Sequence, residues 1–199
     1  MSRRRGSHEP RPDGGRWLLA GCAGLAGFFV LEATVREGGS AASLHASGDD
    51  RGTTREIVRA FVLGATVPVV LRRLPIRPLP RWTAPLGLAM EATGLGVRIW
   101  SMRMLGAAYS RTLRTGEEQR VVEDGPYRLV RHPGYLGTLL TWTGFGCTSG
   151  SSAVVAVVGG LFGRAYGRRI AAEERLLVRD LPGYASYRRR TRRLIPFVW

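Results

Sequence analysis

The sequence predicts an all-α integral membrane protein with about five transmembrane helices, and two observations support this fold class. Apolar runs alternate with polar, basic segments along a chain of 199 residues, which is long enough for one small helical bundle. All 30 basic residues are arginines, against 15 acidic residues, and they flank the apolar runs as in membrane proteins with basic edges. The two cysteines provide neither a disulfide framework nor metal-ligand spacing.

The first transmembrane helix follows a polar tail. Residues 1–16 are rich in glycine, proline and arginine and predict a disordered basic tail. The apolar run Trp17–Leu31 must extend to about Val35, and include Glu32, to reach the roughly 20 residues that span a bilayer. No small-residue cleavage site follows it, so we interpret it as a retained span rather than a signal peptide.

Two further spans complete residues 17–105, which we predict to form transmembrane helices 1–3. Ile57–Leu71 is the second span and Trp82–Leu105 is the third. Glu91 and Arg98 are seven residues apart in the third span and therefore share one helix face. Ionisable groups at membrane depth often mark a functional site, but they also neutralise charges on neighbouring helices, and the sequence leaves both interpretations open.

The C-terminal part, residues 106–199, begins with a polar basic segment and continues into a predicted helical hairpin. The apolar runs Tyr135–Cys147 and Ala153–Tyr166 are joined by the short sequence TSGSS and form spans 4 and 5. Arg168–Arg193 predicts a basic amphipathic helix that is interrupted at Pro182–Gly183, and such a helix favours anionic lipid headgroups.

The arginines also predict an orientation. With five spans, the loop before span 4 and the C-terminus lie on the same side, and this side carries more arginines than the other. The positive-inside bias therefore places it in the cytoplasm. The arginines of residues 72–81, on the opposite side, argue against this orientation.

The most informative stretch is Gly125–Gly137, which reads GPYRLVRHPGYLG. A residue before proline is disfavoured in the helical region, and proline fits the first helical turn, so His132 is predicted as the cap and Pro133 as the first helical residue. The amide groups at such a helix start favour an anion. An arginine, a histidine and two tyrosines gather there, so we expect chemistry at this point.

Three sequences, RHPGYLG after GPYRLV, the later EERLL and the closing RRLIPFVW, together resemble the isoprenylcysteine carboxyl methyltransferase family and its phospholipid N-methyltransferase relatives. The resemblance covers roughly residues 94–199. It implies that residues 106–199 are the catalytic region of an S-adenosyl-L-methionine-dependent membrane methyltransferase. It also implies that the methyl acceptor is a carboxylate of a lipophilic substrate that reaches the site from the bilayer.

The resemblance implies residue roles. Arg169 matches the arginine that handles the substrate carboxylate, and we take it as the catalytic residue. The upstream glutamine of the family falls near Thr112, which puts that cofactor contact in doubt unless Gln119 replaces it. We predict no metal. The predicted cofactor-binding residues are Gln119, Val121, Val122, Tyr127, Val130, Arg131, His132, Pro133, Tyr135, Glu173 and Glu174.

The chemical groups of the cofactor suggest which of these residues binds each group. Arg131, His132 and the helix start suit its carboxylate, whereas Glu173 and Glu174 suit its ammonium group. The apolar and aromatic side chains suit its adenine. Tyr184 and Tyr187 are also similar to the family, but we interpret them as interfacial anchors.

Other functions remain open. One is the same fold acting on a phospholipid or another lipid amine, which would need a base. Another is a non-enzymatic basic membrane protein that binds anionic lipid. We expect membrane lipids as partners and no nucleic acid, and the sequence does not indicate an oligomeric state. The arginine bias suggests a GC-rich, bacterial genome and therefore the inner membrane.

Overall fold

The computed structural model describes residues 14–37, 52–71, 78–106 and 121–196. The helices in these ranges are α1 Gly14–Glu37, α2 Thr53–Leu71, α3 Thr83–Leu105, α4 Pro133–Thr148, α5 Ser152–Asp180 and α6 Tyr184–Arg190, with a 3₁₀ turn at Gly125–Arg128 before α4. The regular secondary structure of the described residues is thus helical, as predicted. Residues 1–13, including most of the predicted tail, lie outside them.

The number of membrane spans stays a prediction. Of the helices in the described ranges, one is long and apolar enough to cross a membrane, and it covers Gly15–Thr34 of α1. This helix includes Glu32, as the sequence predicted. Large apolar side chains on α1 and α2 are exposed, among them Leu19, Val30, Val62 and Val70.

Helices α3 and α4 are antiparallel and pack with their backbones close together. Glycines make this possible, because Gly87 faces Gly144 and Gly94 faces Gly137 across the interface. A Cβ added at Gly94 would lie 2.5 Å from the carbonyl oxygen of Gly137, which is much closer than atoms can pack. The close approach brings the C-terminus of α3 next to the start of α4. The stretch Gly125–Gly137, called the motif below, lies there.

An aromatic cluster forms the core between the helices. Trp142 of α4 is fully buried and stacks on Phe162 of α5, with ring centroids 4.5 Å apart. Phe28 of α1 and Phe61 of α2 also contact Trp142, at centroid distances of 6.3 and 5.6 Å. These edge-to-face, tilted and stacked contacts are favourable aromatic geometries. The cluster therefore ties α1 and α2 to the α4–α5 hairpin.

The second arm of the hairpin is longer than predicted. Span 5 and the amphipathic helix were expected as separate elements, but α5 continues without a break from Ser152 to Asp180. Gly163 and Gly167 have no neighbouring atoms that would force a bend, and no proline occurs in this stretch. The predicted interruption at Pro182–Gly183 is confirmed: Gly183 has φ +85°, a left-handed conformation that favours glycine, and α6 follows it.

The two charged residues of α3 differ in their surroundings. Arg98 pairs with Glu32 of α1 at 2.6 Å and also donates to the carbonyl oxygen of Gly134 and the hydroxyl of Thr138. It therefore neutralises a partner and connects α1, α3 and α4 near the motif. Both carboxylate oxygens of Glu91, in contrast, are buried and make no hydrogen bond within the described ranges.

Candidate functional site

The motif forms a turn that leads directly into α4. Gly125 has φ +57° and opens the 3₁₀ turn, and His132 caps α4 with Pro133 as its first residue, as predicted. The C-terminal segment lies beside this turn. The amide of Arg131 donates to the carbonyl oxygen of Arg192 at 2.8 Å, and the amide of His132 donates to that of Arg193 at 3.0 Å. The chain after α6 therefore holds the turn in place.

A buried ion cluster connects the turn, α5 and the C-terminal segment. Nε of Arg131 donates to Oε1 of Glu174 at 2.9 Å, and Nε of Arg193 donates to Oε2 at 3.1 Å. Nε of Arg188 lies 3.7 Å from the same carboxylate. Arg131 also donates to the backbone carbonyl oxygens of Arg188 and Thr191. One carboxylate thus faces three guanidinium groups, and the cluster has a net positive charge.

The electrostatics of this cluster keep Glu174 ionised. Burial raises the pKa of the Glu174 carboxyl, but the neighbouring His132 and Arg131 outweigh it and lower the pKa to about 2. Oppositely charged groups at this distance favour the ionised form of a carboxyl. Arg131 and Glu174 therefore hold each other, and they connect the turn to α5.

Glu173 belongs to a second set of contacts on the neighbouring side of α5. The hydroxyl of Tyr135 donates to Oε2 of Glu173 at 2.6 Å, and Nε of Arg169 lies 3.4 Å from the same hydroxyl oxygen. Nη1 of Arg169 donates to the hydroxyls of Thr53 and Thr54 at 3.1 and 3.3 Å. Arg169 is 2% exposed. A buried cation, a carboxylate and a phenol are thereby brought together at the starts of α2 and α4.

Aromatic rings connect this set to the core. The rings of His132 and Tyr135 are stacked at 5.6 Å with an interplanar angle of 12°, and Tyr135 lies 4.8 Å from Tyr166. Tyr166 in turn stacks on Phe162. The orientation of His132 is therefore fixed by packing as well as by its backbone.

Tyr184 and Tyr187 are buried, which corrects their interpretation as interfacial anchors. They are 4% and 2% exposed and pack with Tyr127 and Leu181 in a second apolar cluster. The hydroxyl of Tyr187 donates to the carbonyl oxygen of Tyr127 at 2.7 Å, and burial raises its pKa to about 12. Burial, followed by the charges of Glu174 and Glu173, also raises the pKa of Tyr184, so its hydroxyl stays protonated.

Two buried polar atoms beside the glutamates make no hydrogen bond within the described residues. They are Nε2 of His132 and the hydroxyl of Tyr184. Nε2 of His132 lies 3.4 Å from Oε1 of Glu174, without the geometry of a hydrogen bond. Buried polar groups are rarely left unsatisfied, so each of these two atoms indicates a polar partner such as an ordered water molecule or a ligand.

The other predicted site residues lie around these two sets. Val130 is buried, and its backbone pairs with Arg192. Val121 and Val122 are partly buried and pack against the cluster that contains Tyr127. Gln119 lies outside the described residues, so its predicted contact stays a prediction.

Comparison with known proteins shows a family to which part of the chain is similar. Residues 87–179 match the sequence model of the isoprenylcysteine carboxyl methyltransferase family. This part of the chain is similar to that family. The match begins in α3 and ends at the last turn of α5, and it contains the motif, Arg169 and both glutamates. The members of that family are integral membrane methyltransferases that use S-adenosylmethionine.

Two curated relatives carry names from metal resistance. The cobalt-zinc-cadmium resistance protein CzcN of Cupriavidus metallidurans is 34% identical over 119 residues, which cover 58% of this chain and 51% of the relative. The nickel-cobalt-cadmium resistance protein NccN of Alcaligenes xylosoxydans xylosoxydans is 30% identical over 111 residues, which cover 56% and 47%. The chain spans about half the length of these curated relatives.

Several contacts of the matched region were not predicted from the sequence. Thr53 and Thr54 precede the matched region and occur in no motif, so only the fold brings them to Arg169. Arg188 and Arg193 follow the matched region. The closing run RRLIP, which the resemblance includes, was the one signal for Arg193.

Proposed function

We propose that the chain is an integral membrane S-adenosylmethionine-dependent methyltransferase that methylates a carboxylate of a lipophilic substrate. The observation that carries this proposal is the pair of buried, unsatisfied polar atoms, Nε2 of His132 and the hydroxyl of Tyr184, beside Glu173 and Glu174. The similarity of residues 87–179 to the isoprenylcysteine carboxyl methyltransferase family supports the reaction class.

The residues present fit the polar groups of the cofactor. His132 suits its carboxylate, since Nε2 can donate to an anion, whereas the amides of Tyr135 and Leu136 already donate to the carbonyl oxygen of His132. Glu173 suits its ammonium group, and the Tyr135 hydroxyl holds that carboxylate. The pair of Arg131 and Glu174 holds the turn against α5, and the exposed Leu129 beside Tyr127 offers apolar surface for adenine. When bound, the cofactor supplies an electrophilic methyl group on sulfur.

The protein's part in the reaction is to bind, orient and exclude water. A carboxylate acceptor is ionised at neutral pH and needs no general base. It needs a positive group to hold it in line with the methyl group, and the buried guanidinium of Arg169, beside Tyr135 and Glu173, suits this role. Because Arg169 and Glu173 both contact the hydroxyl of Tyr135, the proposed acceptor site and the proposed site of the cofactor ammonium group would be neighbours.

A lipid amine is a second candidate acceptor. An amine loses a proton on methylation, so a base must lie close to it. The buried Nε2 of His132 is the candidate base, and in this alternative it would accept a proton from the amine and would not donate to the cofactor carboxylate. Screening lipid carboxylates against lipid amines distinguishes the two acceptors.

We propose that the site lies at the cytoplasmic face of a bacterial inner membrane, in a protein with about five spans. The exposed apolar side chains of α1 and α2 support a lipid-facing surface, over which a lipophilic substrate would arrive. The excess of arginine on the motif side supports the orientation.

Calorimetric binding of S-adenosylhomocysteine to the detergent-purified protein tests the proposal. We expect a dissociation constant in the micromolar range, about −8 kcal/mol, that weakens in Glu173→Ala and His132→Ala. Glu123→Ala is the matched control, because Glu123 forms an exposed ion pair with Arg190 near the site. No binding by folded wild-type protein, or equal binding by all variants, would contradict the proposed cofactor site.

A further inference from the structure

The hydrogen bonds of Arg169 include a contribution from the part of the chain that precedes the family match. Thr53 and Thr54, in the first turn of α2, accept hydrogen bonds from Nη1, while the Tyr135 hydroxyl oxygen faces Nε. Thr53 is 2% exposed and Arg169 is equally buried. The guanidinium is therefore held from two helices other than its own.

These contacts fix the plane of the guanidinium. Arginine presents its N–H donors in a rigid planar fork, and recognition of a carboxylate depends on the direction of that fork. Because hydroxyl groups are neutral acceptors, the two threonines orient Arg169 without adding a negative charge next to it. An oriented cation attracts an anionic group at a defined position.

The start of α2 is itself held against α5. Glu56 forms an ion pair with Arg168, the residue next to Arg169, and its amide donates to the carbonyl oxygen of Gly52 at 3.2 Å. The two threonine hydroxyls thus approach Arg169 from a helix end that is attached at a neighbouring position. Displacement of α2 would change the orientation of the guanidinium.

We propose that Thr53 and Thr54 are positioning residues that orient Arg169 toward the anionic group of the methyl acceptor. This inference rests on the proposed function. It assigns part of the acceptor specificity to α2, outside residues 87–179, so the preference for a carboxylate depends on a segment that the family match does not include.

The test measures carboxylate preference directly. Oleate and oleyl alcohol share one chain length and differ in charge, so the ratio of their dissociation constants, measured on protein loaded with S-adenosylhomocysteine, isolates the contribution of the carboxylate. We expect the wild-type protein to prefer oleate by at least about tenfold, and the Thr53→Val/Thr54→Val protein to lose about tenfold of that preference. Its affinity for S-adenosylhomocysteine and for oleyl alcohol should not change.

Two further variants separate orientation from folding. Thr53→Ser/Thr54→Ser keeps both hydroxyls and should restore the preference. Thr66→Val removes an exposed hydroxyl on the same helix. Within the described residues this hydroxyl donates to carbonyl oxygens of α2 itself, so the variant should behave as wild type.

The two proposals fail in distinguishable ways. The wild-type protein could bind S-adenosylhomocysteine and show no preference for oleate, or the valine variant could keep the preference of the wild type. Either result would overturn the role of the threonines, and neither would contradict the cofactor site. Absence of S-adenosylhomocysteine binding would overturn the proposed function and this inference with it.

Discussion

The hydroxyl of Tyr135, in the first turn of α4, donates a 2.6 Å hydrogen bond to Oε2 of Glu173, in the last third of α5. The two residues are 38 positions apart in sequence. The bond connects the two arms of the hairpin at the end where the motif lies, and it orients a carboxylate that we propose to bind the cofactor ammonium group.

Tyr135→Phe should weaken S-adenosylhomocysteine binding about ten- to hundredfold, because a hydrogen bond to an ionised group contributes about 1.5–3 kcal/mol. The ring still stacks on His132 and packs against Tyr166, so the variant should remain folded, with a modestly lower melting temperature because Glu173 and Arg169 lose a shared contact. Calorimetry and thermal unfolding of the same sample check both expectations. Tyr187→Phe is the contrast: its buried bond to Tyr127 should lower the melting temperature. Unchanged affinity in Tyr135→Phe would count against a cofactor role for Glu173.

Glu174 should make the stability of the protein depend on pH in the acidic range. Its pKa in the folded protein is about 2, below its usual value of 4.5, so its contribution is present above about pH 4.5 and is lost as pH falls toward 2. The shift corresponds to roughly 3 kcal/mol at most. Melting temperatures from pH 6 to pH 2 should therefore fall more steeply for the wild type than for Glu174→Gln, which should be less stable at neutral pH.

Glu123→Gln is the control for the acid experiment, since Glu123 pairs with Arg190 in an exposed position. It should retain the steep dependence of the wild type. An equally steep curve for Glu174→Gln would show that other carboxylates cause the loss of stability.

Gly94→Ala should destabilise the protein by about 1–3 kcal/mol, because the added Cβ would overlap the backbone of Gly137 and push α3 away from α4. Gly96→Ala, two residues further along α3, is a matched control, since a Cβ there has no neighbouring atoms within 4 Å. Alanine favours a helix over glycine, so this variant should be neutral or slightly more stable. Thermal unfolding in detergent compares the two, and equal effects would argue against the close α3–α4 contact.

Replacing one partner of the ion pair between Arg98 and Glu32 should destabilise the protein more than replacing both partners. Glu32→Gln leaves a buried cation with less compensation and should destabilise the protein by about 3–5 kcal/mol. The double variant Glu32→Leu/Arg98→Met replaces both charges by apolar groups and should be closer to the wild type. A double variant less stable than Glu32→Gln would mean that the bonds of Arg98 to α4 dominate.

What the sequence predicted well was local. The cap at His132, the helix start at Pro133 and the break at Pro182–Gly183 depend on backbone preferences of two or three neighbouring residues, and the structure has all three. The resemblance to the family likewise rests on short motifs of consecutive residues.

What the sequence did not predict depends on which helices meet. The bonds of Arg169 to Thr53 and Thr54 join residues more than a hundred positions apart, and the burial of Tyr184 follows from the return of the chain after α6. The same holds for Glu32, which finds Arg98 on another helix. Local hydropathy contains no information about these pairs.

The unbroken course of α5 has a mechanical consequence. A helix of 29 residues is about 43 Å long, and this one has Phe162 in the aromatic core on the same rod as Arg169 and Glu173. No hinge separates the two regions. A change in bilayer thickness that tilts or shifts the core would therefore also move the guanidinium of Arg169 and the carboxylate of Glu173. The thickness of the surrounding lipid would in this way affect the geometry of the site.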